Sequence, residues 1–254
     1  MTKTWPSASK TKKSASETSE RPHVNFMLHF HFAAGESGSD AVGFGAMLPD
    51  LWRMAAKAAR ARRGLDASPA NPIVRDVLVG IEHHFDADAW FHRSATFDAY
   101  EKRTADALLR ADGGESPRLR LFAHVASEMA LDGALLRRNA DLEARVRHAI
   151  EEARDAGREA AELHHADARA RAGDAAARYE DRIERIVSAV ASYELPRGYA
   201  IPEGLATRLA GVRSGFGMLA SREIVARWAS AFSELEPEMD AALEELISLR
   251  AARA

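Results

Sequence analysis

Two stretches, Ile73–Ser94 (IVRDVLVGIEHHFDADAWFHRS) and Arg118–Arg138 (RLRLFAHVASEMALDGALLRR), bring an apolar side chain back every three or four positions. That is the period of a helix face, not the alternation of a half-buried strand. A chain patterned in this way buries stripes of helix rather than faces of sheet, and no β-rich stretch competes with it elsewhere. From about Asp141 to Ser192 the composition is dominated by Ala, Arg, Glu and Asp, which predicts a long solvated or hairpin-forming helix that acts as support and not as chemistry. After the loop LPRGYAIPEG, two more helices are expected, one over Leu205–Ser221 and one over Ser221–Ala252 with Ser221 as its N-cap. The fold class is therefore all-α: a multi-helix bundle carrying a long Ala-rich helical insertion.

Punctuation divides the 254 residues further. Residues 1–22 are rich in Ser, Thr and Lys with almost nothing to bury, and read as a disordered tail. The remainder, 23–254, reads as one domain: a core over 24–136, the insertion over about 137–193 and C-terminal helices over 194–254. Val24–Ala34 is apolar and carries His29 and His31; by pattern alone it is strand or helix, and Gly35 to Ser39 close it as a loop. In either conformation at most one of those two histidines points inward. Another helix is expected to begin near Pro49 or Asp50 and run through Ala- and Arg-rich sequence to Gly64, followed by a turn over Ser68–Pro72.

A formal net charge of -3 makes the whole molecule a poor electrostatic partner for nucleic acid. The absence of cysteine excludes disulfides, thiolate zinc sites and cysteine nucleophiles, so any metal must be held by nitrogen and oxygen. No uncharged apolar run reaches the length of a membrane span, and the N-terminus lacks the apolar run of a secretory signal, so a cytoplasmic location is expected.

The strongest chemical signal is His84, Asp88 and His92 at i, i+4 and i+8. On a helix such residues stack along one face, and two neighbours can reach a common ion; the third lies about 6 Å further along the axis. His84 and Asp88 are therefore expected to ligate, with His92 at the edge of the site. His124, Glu128 and Asp132 repeat the spacing among apolar neighbours, where buried imidazole and carboxylate need partners. Asp50 offers a further carboxylate, and His29 or His31 a further imidazole. His164 and His165, in the Ala-rich segment, are expected to be solvated. These ligand types are compatible with manganese, magnesium, iron or zinc. The basic run Arg53, Lys57, Arg60, Arg62 and Arg63 either meets a substrate phosphate or an acidic partner helix, or is simply a solvated helix face, the reading slightly favoured.

NFMLHFHFA (Asn25–Ala33) resembles the opening of acyl carrier protein phosphodiesterases. GAMLPDL (Gly45–Leu51) resembles their next motif, and GIEHHFDAD (Gly80–Asp88) resembles their G-I-x-x-H-x-x-x-D core. The likeness covers about residues 24–135. Departures are Phe85 in place of arginine, His92 in place of aspartate, and Glu128, Asp132 and Gly133 where the family has D-x-x-x-D-H. The resemblance implies an HD-like, all-helical, metal-dependent hydrolase, often manganese-using, that releases 4′-phosphopantetheine from acyl carrier protein. It implies metal or catalytic roles for Asp50, His84 and Asp88, with His29 and His31 nearby. The full assignment expected is His84, Asp88, Asp50, His29 and Asp132 on the metal; His92 and His124 as candidate general acids; and His31, Arg53, Lys57 and Glu128 toward substrate. Rival readings are a nucleotide or phospholipid phosphoesterase of the phospholipase-C-like kind, or a non-catalytic helical scaffold whose site has decayed, a reading that Gly133 encourages.

Overall fold

The computed structural model describes residues 25–56, 59–172, 176–192 and 194–253. The N-terminal tail and Lys57 lie outside them. The described residues form helices and connecting turns, with no strand among them. In order the helices are α1 (Phe26–Ser37), α2 (Asp40–Ala55), α3 (Pro72–Phe91), α4 (Ala95–Ala111), α5 (Leu119–Arg138), α6 (Leu142–Ala172), α7 (Ala176–Ala191), α8 (Glu194–Arg197), α9 (Pro202–Ser214), α10 (Arg222–Glu234) and α11 (Glu236–Ala251). None of them is long and apolar enough to cross a membrane.

The opening apolar segment is a helix. It closes at Gly38, which takes the left-handed conformation at φ 71° that glycine adopts without a Cβ penalty. Helix α2 begins at Asp40, well before the expected start near Pro49 or Asp50. Ser39 caps it by accepting from the Val42 amide, and Pro49 sits inside the helix. An interior proline costs about 3 kcal/mol. Burial of Phe44, Met47, Leu48, Leu51 and Trp52 along the same helix offsets that cost. The helix also ends early: Ala56 is extended, at φ -158° and ψ 136°. Past the break the chain docks on α6, where the Arg62 amide donates to His164 Nδ1 at 3.0 Å. Ala and Arg content favoured helix here, but that tertiary contact decides the conformation.

Helix α3 starts at its Asn71–Pro72 signal, with the Asn71 side chain accepting from the Ile73 amide. It crosses α2 with backbones almost touching. A Cβ on Gly80 would lie 2.0 Å from the Val42 carbonyl oxygen, and one on Gly45 would lie 2.2 Å from that of Val77. The Ala-rich segment yields two helices, α6 and α7, packed on each other and on α2. It is not a solvated strut: Leu142, Val146, Ala149, Ile150, Ala153, Ala156 and Ala160 bury one face of α6. The expected C-terminal helix is divided at Leu235, and Pro237 stands in the first turn of α11, where its missing amide is harmless. Ser221 caps α10 as expected, accepting from the Ile224 amide. One apolar cluster runs through these helices from Phe26 to Leu246.

His164 and His165 are buried, contrary to expectation, at 4% and 1% exposure. Both rings lie against Trp52, and His165 Nδ1 shares a 2.6 Å hydrogen bond with the Tyr179 hydroxyl. Accepting the Arg62 amide requires an unprotonated His164 Nδ1, and burial, with Arg62 beside it, lowers the His164 pKa to about 4. His165→Ala removes a ring from between α2 and α7 together with its hydrogen bond to Tyr179, so a loss of about 2–3 kcal/mol of stability is expected. A lowered denaturant midpoint at unchanged slope would show it, whereas an unaltered midpoint would return His165 to the surface.

A candidate metal centre between α1, α3 and α5

The crossing of α2 over α3 orients the first ligand. His84 lies one turn after Gly80, and its Nδ1 is 3.0 Å from the Ala46 carbonyl oxygen. Since a carbonyl only accepts, Nδ1 carries the proton and Nε2 presents its lone pair. That Nε2 is 4.0 Å from Asp50 Oδ1, one turn along α2 from Ala46. His29 from α1 lies beside it, with ring centroids 4.2 Å apart, and His29 Nε2 is 4.0 Å from Asp88 Oδ1. One ligand atom from each of His29, His84 and Asp88 falls within 4.8 Å of the others.

His29 is 2% exposed, and neither of its ring nitrogens has a hydrogen-bond partner among the described residues. Burial, reinforced by neighbouring His84, holds its pKa well below the ordinary imidazole value. It is therefore a neutral ring with a lone pair inside the protein, which suits a metal ligand and otherwise costs free energy.

Further along α3, Asp88 Oδ1 is also 2.9 Å from Nε2 of His92, the residue that caps the helix C-terminus. His92 stacks on His124 of α5 at 4.8 Å between ring centroids. Glu128 Oε1, fully buried, is 3.0 Å from His124 Nε2 and 3.5 Å from His92 Nε2. These three residues form a second group of the same compactness. His124 Nδ1 faces Glu101 Oε2 of α4 at 3.2 Å. Burial opposes protonation of His124, but Glu128 and Glu101 outweigh it and raise its pKa to about 9.

The structure thus brings His29, His84, Asp88 and Asp50 together, and beside them His92, His124 and Glu128. Asp132 has a different task from the metal ligation expected of it. Its two oxygens accept from the Met27 and Leu28 amides at 3.1 and 2.9 Å. Asn25 makes no side-chain cap, so Asp132 caps α1 from across the chain and fixes the turn that leads to His29. Burial raises its pKa well above the carboxylate range despite those two bonds, and Asp50 and Glu128 push it further.

His31 belongs to neither group and is half-buried near Arg145 of α6; burial, then that guanidinium, lowers its pKa. Two positions from His29 on a helix place it on another face. Glu128, expected toward substrate, stands in the second group. Arg53 is half-buried on α2, while Arg62 and Arg63 are exposed and engage the Leu163 carbonyl and Asp86. His83 faces Glu36 and Arg250 on the outside of α3. Gly133, which stands in place of the family's histidine, has a packing reason, since a Cβ there would lie 2.0 Å from the Tyr199 carbonyl oxygen. No sequence signal marks Glu101 of α4: only its placement behind His124 distinguishes this half-buried side chain from the chain's other glutamates.

Each group has the donor types, spacing and burial to hold a divalent ion, and oxygen with nitrogen donors leaves the choice of metal open. Fold and site together define an all-helical protein with a buried histidine–carboxylate centre. Compared with protein-family profiles, curated proteins and solved structures, the chain matches none.

Proposed function

We propose that this chain is a divalent-metal-dependent phosphodiester hydrolase, and that its substrate is the one implied by its resemblance to acyl carrier protein phosphodiesterases: the diester joining 4′-phosphopantetheine to acyl carrier protein. The reading is carried by one observation. His29, Asp50, His84 and Asp88 come from three separate motifs on α1, α2 and α3, and they converge in the interior.

A cation held there, manganese being the first choice, supplies Lewis acidity that acidifies water and offsets phosphate charge. The chain's own residues supply the rest. His29 and His84 present neutral nitrogens, Asp88 and Asp50 supply negative charge, and the Ala46 carbonyl fixes the His84 ring. Arg53 follows Asp50 by three positions on α2 and serves the substrate phosphate. Hydrolysis adds water across the diester, returning a hydroxyl to the carrier protein and leaving the phosphate on the pantetheine fragment.

The test incubates the full chain and Mn2+ with holo acyl carrier protein and weighs the protein product. Release of apo protein, abolished by a chelator, is the expected result. Hydrolysis confined to generic diesters or nucleotides would overturn the substrate, and no hydrolysis of any of them would overturn the enzyme reading.

A further inference from the structure

We propose that His92, His124 and Glu128 form a second divalent-cation site, and that Asp88 joins it to the first as a shared carboxylate. The inference deepens the hydrolase reading, since it makes the centre a two-ion one, but its own content is metal binding and does not require turnover.

His124 Nδ1 faces Glu101 Oε2 at 3.2 Å, a carboxylate that orients the ring from behind. Its Nε2 is thereby turned to Glu128 Oε1, 3.0 Å away in the interior. His92 Nε2 points at the same oxygen from 3.5 Å, on a ring stacked against His124. Two imidazole nitrogens and a carboxylate oxygen, drawn from two helices and backed by a second carboxylate, are the donor set and supporting contact of a nitrogen–oxygen metal site. His84 has the same build, with Nδ1 anchored on the Ala46 carbonyl and Nε2 turned inward.

The link between the groups is a single atom. Asp88 Oδ1 is 2.9 Å from His92 Nε2 and 4.0 Å from His29 Nε2. One carboxylate therefore reaches both groups, the arrangement by which two ions are held about 3.5–4 Å apart against one phosphate. On this assignment His92 and His124 hold a cation and do not pass the proton that sequence reasoning gave them.

The test strips the full chain with chelator, dialyses it against Mn2+, and measures ions per chain by mass spectrometry and spin coupling by electron paramagnetic resonance. Wild type is expected to hold two coupled ions. His124→Gln should keep one uncoupled ion, held by the first group, and His29→Gln should likewise keep one. Circular dichroism checks that each variant folds, and His92→Gln, at the end of α3, replaces His124→Gln if the latter does not. One ion in wild type, lost in His29→Gln and kept in His124→Gln, overturns the second site alone. Two uncoupled ions overturn the Asp88 bridge, and an empty wild type overturns the first site as well.

Discussion

Asp88→Ala is expected to leave the chain folded but unable to retain divalent metal, with hydrolysis at background. Asp88 Oδ1 lies within reach of both His29 and His92, at 4.0 and 2.9 Å. Loss of a residue that merely supports a ligand already costs roughly 10–100-fold in metal affinity, and a direct ligand costs more. The fold should not follow, because the side chain is half-buried on α3 and alanine is the better helix former. Metal linkage supplies a second readout. At about a hundred times its dissociation constant, an ion that binds only the folded chain adds roughly 2.7 kcal/mol to stability. Wild type should therefore melt higher in Mn2+ than in chelator, and the variant should melt alike in both. Retained metal in folded Asp88→Ala would contradict the site.

Gly80→Ala should be among the most damaging substitutions in the chain, although an exposed helical glycine changed to alanine ordinarily gains about 0.5–1 kcal/mol. The new Cβ would lie 2.0 Å from the Val42 carbonyl oxygen and 2.8 Å from the Gly45 Cα, atoms of the backbone of α2. Side chains yield to overpacking at about 1–3 kcal/mol; a backbone crossing has no rotamer to change, so about 3 kcal/mol or more is expected. In a chain of this size that lowers the melting temperature by about 5–10 °C. Separation of α2 from α3 also lengthens the bond between His84 and Ala46, one turn from the crossing, so metal affinity should fall with stability. Calorimetry beside metal titration checks both, and an unchanged melting point would mean that the helices do not cross at these glycines.

The clearest parts of the sequence were those where local pattern and tertiary packing agree. Helices α3 and α5 keep their apolar period because each buries one continuous stripe, and the pairing of His84 with Asp88 follows from helix geometry alone. The alternation of His29 and His31 predicted that at most one faces inward, and His29 does so. Illegible were the features fixed by long-range contact. Pro49 reads as a helix start until the Ser39 cap and the buried face of α2 outweigh it. His164 and His165 read as surface residues because their neighbours are polar, yet Trp52, over a hundred positions earlier, covers them. Asp132 has the right spacing for a ligand, and only the uncapped start of α1 explains why its oxygens are engaged elsewhere. Gly133 reads as decay until the Tyr199 carbonyl is seen against it.

Side chains from α1, α2 and α3 meeting around a cation is the claim on which the functional reading depends. Crystals grown in Mn2+ and measured at an energy where manganese scatters anomalously test it most directly. An anomalous peak within coordination distance of His29, His84 and Asp88 is the predicted result; peaks confined to surface carboxylates, with the interior empty, would contradict it.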